Sequence, residues 1–142
     1  MTTVKQVLDA KGHDIWSIDP GSSVLDTIRL MADKKIGALL IMENDNLVGI
    51  VSERDYARKV ILKGRASNDT PVKDIMTRKI IYATPENSVE DCMELMTKKR
   101  VRHLPVLDGD QVVGVLSIGD LVKNIIADQQ FTIEQLENYI TA

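Results

Sequence analysis

An internal repeat constrains this chain of 142 residues more than any other feature. A shift of 65 positions aligns residues 18–61 with residues 83–126 without a gap, and about a third of the aligned pairs are identical. Most other pairs keep their apolar character, as Ile36/Val101 and Ile50/Val115 do. Because a repeated segment is one structural unit that packs against its neighbour, we predict two pseudo-symmetric halves.

Hydrophobic periodicity predicts the same order of elements, β-α-β-β-α, in each half. Apolar residues recur at helical spacing from Val24 and from Val89, each directly after a serine that can cap a helix. Two short apolar runs follow in each half, and Asp108-Gly109 between the second pair is a strong hairpin signal. These runs are nearly continuous, which predicts strands covered on both faces. A short strand near residues 15–18 and 80–83 precedes each helix. The predicted fold class is therefore α/β.

The boundaries follow from the repeat and from the turn-rich stretches. We predict a first unit at residues 7–62, a polar linker at 63–71, a second unit at 72–127 and a C-terminal helix or tail at 128–142. Thr132-Ile133-Glu134-Gln135 resembles a capping box, which predicts that a separate short helix begins there.

Composition and charge exclude several classes of protein. A net charge of −3 and an aromatic content of 4% argue against a general nucleic-acid binder. No apolar run approaches the roughly 20 residues of a membrane span, and the N-terminus carries no apolar signal core. The single cysteine cannot form an internal disulfide, which suits the cytoplasm. Cys92 lies on an apolar helical face and is predicted to be a buried core thiol, and no Cys or His cluster has metal-ligand spacing. For Trp16 we favour core packing over stacking on a purine.

Both halves contain the motif Gly-apolar-apolar-Ser-x-x-Asp, at residues 49–55 and 114–120. It describes a strand that ends at a helix N-terminus, where free backbone N–H groups and a partial positive charge favour a phosphate. The Asp carboxylate can accept from two vicinal ribose hydroxyls, and the glycine would let a ligand approach the strand closely.

A second interpretation of this motif requires no ligand. Ser-x-x-Asp is also a capping box, in which the two side chains satisfy backbone N–H groups of the same turn. The presence of two copies does not separate the interpretations, because a duplicated structure duplicates its caps.

The whole pattern resembles a tandem pair of cystathionine-β-synthase (CBS) domains, from about Val7 to Ile126. The resemblance rests on the two Gly-x-x-Ser-x-x-Asp segments, on Val101-Arg102-His103-Leu104-Pro105-Val106, and on Val72-Lys73-Asp74-Ile75-Met76-Thr77. The first repeat departs from it, with Leu40 in place of Pro105 and Gly37-Ala38 in place of Arg102-His103. The resemblance implies two clefts between the units that bind AMP, ADP or ATP, and in some relatives NAD or S-adenosylmethionine. It also implies a homodimer.

The resemblance further assigns residues to each cleft. The first cleft would combine Ser52, Arg54 and Asp55 with Thr77, Arg78, Lys79, Val101, Arg102 and His103. The second would combine Ser117, Gly119 and Asp120 with His13, Asp14, Ile15, Ile36, Gly37 and Ala38. The first cleft gathers four cations, which predicts a phosphate clamp. The second has little positive charge beyond Lys11 and Lys35 and is expected to hold adenosine weakly or to stay empty.

We therefore predict a non-catalytic, cytoplasmic adenosine-nucleotide sensor that signals to a partner protein of unknown identity, without nucleic acid or membrane as a partner. One alternative is a dimerisation or interaction scaffold whose Ser and Asp residues are only caps. The other is an enzyme acting on nucleotides with Asp55 as a base. It has the least support, because no carboxylate pair, metal set or nucleophile dyad is visible.

Overall fold

The structure, a computed structural model, describes residues Met1–Thr141. The last residue of the predicted tail, Ala142, lies outside the described residues. The predicted α/β class is confirmed. In chain order the helices and strands are α1 (Val4–Lys11), β1 (Ser17–Ile18), α2 (Val24–Lys34), β2 (Ala38–Glu43), β3 (Asn46–Ser52), α3 (Glu53–Tyr56), α4 (Val89–Lys99), β4 (His103–Asp108), β5 (Gln111–Ser117) and α5 (Ile118–Thr141). A π-helical turn (Ala57–Ile61) follows α3, and a 3₁₀ turn (Val72–Asp74) precedes α4.

The chain forms two compact units, and neither is one continuous segment. The central unit contains Ile15–Ile81 together with Asp110–Val112. The terminal unit contains Met1–Asp14, Tyr82–Gly109 and the chain from Val113 onward. Helix α1 therefore belongs to the same unit as the second repeat, and the 3₁₀ turn before α4 belongs to the same unit as the first.

A three-stranded sheet organises the central unit. Strand β1 runs parallel to β2, and β2 pairs with β3 in antiparallel register, with Leu40 opposite Ile50. The first four residues of β2 are all buried, as the continuous apolar run predicts. Leu39 and Ile41 of this strand share a core with Val24 of α2 and with the 3₁₀ segment. Burial of these apolar side chains is the main force that holds the unit together.

The terminal unit is built on the hairpin of β4 and β5. The short strand predicted near residues 80–83 is reduced to a single parallel bridge between Ala83 and Val106. Helix α1 begins with a capping box formed by Thr3 and Gln6, and the backbone N–H of Val4 donates to the carbonyl of Asn87 (2.8 Å). The N-terminal helix is thus fastened beside the start of α4.

The prediction of a separate helix beginning at Thr132 is wrong. Helix α5 runs without interruption from Ile118 to Thr141, and the hydroxyl of Thr132 donates to the carbonyl of Asp128 (3.0 Å) instead of capping a new turn. No glycine or proline lies between Gly119 and Thr141, so this stretch contains no helix breaker. In the first repeat the corresponding helix is short, and Gly64 with a φ of 66° follows it. Within Met1–Thr141, no helix is both long and apolar enough to cross a membrane.

Candidate ligand-binding sites

The serine and the aspartate of the first motif form a capping box at the junction of β3 and α3. The backbone N–H of Ser52 donates to Asp55 Oδ2 (2.9 Å), and the backbone N–H of Asp55 donates to Ser52 Oγ (3.3 Å). The Ser52 hydroxyl also donates to Asp55 Oδ2 (3.2 Å). These bonds hold the carboxylate against the end of the strand, with one of its oxygens turned to the cap.

The second motif repeats this geometry at the junction of β5 and α5. The backbone N–H of Ser117 donates to Asp120 Oδ2 (2.8 Å), and the backbone N–H of Asp120 donates to Ser117 Oγ (3.2 Å). Both motifs are therefore helix caps, as the second interpretation predicts. A carboxylate has two oxygens and about four lone-pair positions, so a cap does not exhaust its capacity to accept.

Each of these carboxylates also contacts a lysine of its own unit. Lys59 Nζ lies 3.1 Å from Asp55 Oδ1 and donates to the carbonyl of Ile75 (2.9 Å). Lys11 Nζ donates to Asp120 Oδ2 and to the carbonyl of Val115 (2.7 Å). The two lysines are not equivalent in the repeat, since Lys59 aligns with Asn124 and Lys11 aligns with Met76. Each unit thus has a lysine beside the carboxylate, but the two lysines come from different elements: Lys59 follows Asp55 by four residues, and Lys11 belongs to α1.

The environment of Asp120 lowers the pKa of its carboxyl below the ordinary value of 3.8. Burial alone would raise this pKa, but the hydrogen bonds from Lys11 and from the Ser117 backbone, together with the charge of Lys11, outweigh burial. The charged form is therefore favoured in the folded protein. Its contribution to stability is complete above the unfolded-state pKa and is lost as the pH falls through the lower, folded-state pKa.

We expect Lys11→Met to destabilise the protein by roughly 1–2 kcal/mol at pH 7. Hydrogen bonds to charged groups contribute about 1.5–3 kcal/mol, and the partial exposure of both side chains reduces this value. The difference from the wild type should shrink as the pH falls through the lowered folded-state pKa of Asp120, because only the charged carboxylate gains from Lys11. Urea unfolding at several pH values measures it. Lys5→Met, at an exposed pair with Asp9, is the control and should have little effect. A difference that stays constant down to pH 2.5 would assign the effect of Lys11 to packing.

The central unit brings together most of the residues predicted for the first cleft. Thr77 exchanges two backbone hydrogen bonds with Ile50 (2.8 and 3.0 Å), two residues before Ser52 on β3. This pairing places the segment 77–79 beside the strand that leads to Asp55. Arg54, Arg78 and Lys79 are exposed, and the Arg78 guanidinium donates to the carbonyl of Lys73 (3.4 Å).

The residues before each hairpin lie beside the motif of their own repeat. The carbonyl of Gly37 accepts from the backbone N–H of Glu53 (3.1 Å), and the carbonyl of Arg102 accepts from that of Ile118 (2.8 Å). Ile36, Gly37 and Ala38 thus belong with Asp55 in the central unit, whereas Val101, Arg102 and His103 belong with Asp120 in the terminal unit. The sequence-based grouping put each of these triplets with the other motif. Because both predicted clefts draw on the two units, that grouping stays a prediction.

In the terminal unit, His13 lies next to the strand of the second motif. Its Nδ1 is 3.2 Å from the carbonyl of Val113, and its Nε2 is 3.0 Å from Asp9 Oδ1. These two acceptors, the carbonyl first and then the carboxylate, raise the pKa of His13 above 6.5. Asp14 and Gly119 are exposed in the same unit, whereas Ile15 belongs to the central unit.

The expected role of the motif glycines needs correction. A Cβ on Gly49 would lie 2.5 Å from Met76 Sδ, and a Cβ on Gly114 would lie 2.7 Å from Leu8 Cδ2. Both glycines are buried, and a side chain of their own unit fills the space in front of each. The glycines therefore admit protein packing and not a ligand, because contacts this short leave no room for a side chain.

Two other sequence-based interpretations have opposite outcomes. Core packing of Trp16 is wrong: the side chain is 39% exposed, and Lys34 Nζ lies 4.2 Å from the ring centroid, a cation–π contact. The buried thiol is confirmed, since Cys92 is 1% exposed, and burial raises its pKa to about 11.

We expect the Cys92 thiol to react at least about a hundredfold more slowly with a disulfide reagent in the native protein than in 6 M guanidinium. Both its burial and its raised pKa suppress the reactive thiolate at neutral pH. Absorbance of the released thiolate measures the two rates. Comparable reaction rates in the native and the unfolded protein would show that α4 opens readily and that the thiol is accessible in the native state.

Sequence reasoning missed the roles of the two lysines. The four-residue spacing from Asp55 to Lys59 is a usable signal for a helical ion pair. No local signal exists for Lys11, which is 109 residues from Asp120. Among the described residues, no group of three or more His, Cys, Asp or Glu side chains is arranged to hold a metal ion.

Comparison with known proteins gives one consistent result. Residues 4–62 and 72–127 each match the CBS domain. The mitochondrial CBS domain-containing protein CBSX3 of Arabidopsis thaliana is 38% identical, over 98% of this chain and 72% of that protein. A CBS-domain protein of Burkholderia ambifaria is 55% identical with a TM-score of 0.88, covering 93% of this chain and 99% of that one. The CBS domain pair of protein MJ0100, solved with 5′-methylthioadenosine and S-adenosyl-L-methionine, is 24% identical with a TM-score of 0.81, covering 90% and 98% of the two chains.

Proposed function

Because this chain belongs to the CBS domain family, as a tandem pair in a family of regulatory modules, we propose that it binds an adenosine nucleotide at the Asp55 motif and performs no catalysis. The ligand class is AMP, ADP or ATP, and NAD and S-adenosylmethionine share the ribose that the motif would recognise. The bound nucleotide regulates a partner protein.

The carboxylate of Asp55 is the observation that carries the proposal. Its side chain is only 15% exposed, and the cap holds it against the strand through Oδ2. Oδ1 faces the ammonium of Lys59, whose side chain is 42% exposed and therefore able to move. A ribose diol can donate to a carboxylate fixed in this way, with a charge-assisted bond for each hydroxyl.

Positive charge favours the Asp55 motif over the Asp120 motif for a phosphate. Arg54, Arg78 and Lys79 are exposed in the central unit, and none of them is the lysine that contacts Asp55. In the terminal unit, the side chain of Lys11 is committed both to Asp120 and to a strand carbonyl, which leaves Arg102 as the exposed cation beside that motif. Three exposed cations near one motif supply what a phosphate group needs.

The adenosine class has further support from the CBS domain pair of protein MJ0100, which was solved with two ligands that both contain adenosine. A nucleotide regulates a partner only if its affinity differs between two conformations of the module. The proposal includes a homodimer in the cytoplasm, where the single buried thiol of Cys92 would stay reduced.

Calorimetry with AMP and 2′-deoxy-AMP tests the ribose contact. We expect the deoxy ligand to bind roughly tenfold or more weakly, because one charge-assisted bond of about 1.5–3 kcal/mol is lost. Asp55→Asn should remove this preference. Asp91→Asn is the matched control, because Asp91 forms the same capping box with Ser88 outside the motif, and it should keep the preference. Equal affinities in the wild type would contradict a ribose contact at Asp55.

A scaffold without a ligand is the second candidate, and the completeness of the capping boxes favours it. Each side-chain oxygen of the Ser52 and Asp55 pair has a structural partner within its own unit. If no adenosine nucleotide binds at millimolar concentration while the protein still associates with itself, this second function replaces the first.

A further inference from the structure

The second half of α5 is an exposed amphipathic helix with acidic charge. We call the residues from Asp128 to Thr141 the acidic tail. Three of its apolar side chains, Ile133, Leu136 and Ile140, are 48–80% exposed, and their spacing of three and four residues puts them on one stripe. It contains three acidic residues and no basic one, since the last lysine of the chain is Lys123.

The acidic tail needs an apolar partner. All of its residues are exposed, and the only buried residue of α5 is Leu121, near the start of the helix. Helices of this length gain most of their stability from the packing of an apolar face and not from intrinsic propensity. A contiguous apolar stripe left in water is typical of a protein-interaction surface.

A surface of opposite charge lies in the central unit, at the end of the π-helical turn. Ile61 and Leu62 are 58% and 77% exposed there. The segment of residues 58–65 contains four basic residues and no acidic one. Lys59 is paired with Asp55 and Arg65 with Asp74, which leaves the exposed Arg58 and Lys63 beside the apolar pair. We call residues 58–63 the basic corner.

The charges decide between two ways in which copies of this chain could cover these surfaces. Two tails packed on each other would set acidic residues beside acidic residues, with no cation in either tail. A tail packed on the basic corner would bury apolar side chains and pair Glu134 and Glu137 with Arg58 and Lys63. Complementary charge of this kind selects the partner and the register.

We propose that the acidic tail of one copy docks on the basic corner of a second copy. In a two-fold symmetric dimer the contact forms twice, because each copy supplies both surfaces. The inference rests on the homodimer within the proposed function and is independent of nucleotide binding. It names the surfaces that join the two copies.

A charge-swap experiment on the full chain, read by sedimentation equilibrium at low salt, tests the contact. Glu134→Lys with Glu137→Lys should weaken dimerisation by about tenfold or more, since each 1.4 kcal/mol of repulsion corresponds to a tenfold change. Arg58→Glu with Lys63→Glu should do the same. Combining all four changes in one chain should restore the dissociation constant to within about threefold of the wild type, because the pairs re-form with reversed signs.

The control reverses Lys98 and Lys99, an exposed basic pair elsewhere, and should leave dimerisation unchanged. All of these residues are exposed, so circular dichroism should report the same fold in every variant. A monomeric wild type overturns the proposal, and so does normal dimerisation of the variant with reversed charges in the tail. The proposal also fails if the variant with all four substitutions dimerises no more tightly than the two double variants. Calorimetry with AMP on the same variants keeps the two questions apart: retained binding with lost dimerisation supports the contact, whereas failure of AMP to bind the wild type contradicts only the nucleotide proposal.

Discussion

A saturating adenosine nucleotide should raise the melting temperature of this protein by roughly 5–10 °C. A ligand that binds only the folded state stabilises it by about 2.7 kcal/mol at 100 times its dissociation constant. For a chain near this size, each kcal/mol moves the midpoint by roughly 2–4 °C. Differential scanning fluorimetry with AMP, ADP, ATP, NAD and S-adenosylmethionine measures the shift and ranks the ligands.

Three alanine variants separate the ligand role of the motif from its capping role. Loss of a cap typically costs about 1 kcal/mol, so Asp55→Ala, Asp120→Ala and Asp91→Ala should all melt slightly early without ligand. Only Asp55→Ala should also lose most of the nucleotide-induced shift, because the exposed cations accompany that motif. Asp91 forms the same cap outside both motifs, so its variant should respond like the wild type. An unchanged shift in Asp55→Ala would remove this residue from the site.

The contact between Leu8 and Gly114 should give the largest change in stability without ligand. Leu8 is 1% exposed, and its truncation to alanine should lower the free energy of unfolding by about 2–5 kcal/mol. Gly114→Ala should cost about 1–3 kcal/mol, because the new Cβ would lie 2.7 Å from Leu8 Cδ2 in a filled interior. The double variant should be clearly more stable than the sum of the two losses predicts, since the smaller side chain removes the clash. Urea unfolding of the four proteins measures the coupling.

Gly119→Ala is the matched control for this cycle. A Cβ at Gly119 meets only Ser117 Oγ, at 3.6 Å, and alanine is the better residue in a helix by about 0.5–1 kcal/mol. The variant should be as stable as the wild type or more so. If the losses in free energy of unfolding for Leu8→Ala and Gly114→Ala simply add, then the Leu8 side chain is not the reason that position 114 requires glycine.

Features that depend on spacing within one repeat could be predicted from the residues alone. The aligned repeats predicted two copies of the same series of elements, because the periods of apolar residues differ between helices and strands. The Asp108-Gly109 turn and the caps at Ser52 and Ser117 were visible for the same reason, since each cap joins residues three positions apart. The continuous helix α5 was missed because a capping-box pattern at Thr132 imitates a start signal, although no residue before it ends the helix.

The tertiary structure shows which distant segments meet. It joined α1 to the unit of the second repeat, where Leu8 fills the space in front of Gly114, so the motif glycines that looked suited to a ligand instead admit a side chain. It also brought Lys11 to Asp120, and it placed Arg102 beside the Asp120 motif. No local sequence pattern predicts either contact. Contacts between distant segments produce no regular spacing of residues in the sequence. They follow from the burial of apolar faces on segments far apart in the chain, which residue spacing alone does not encode.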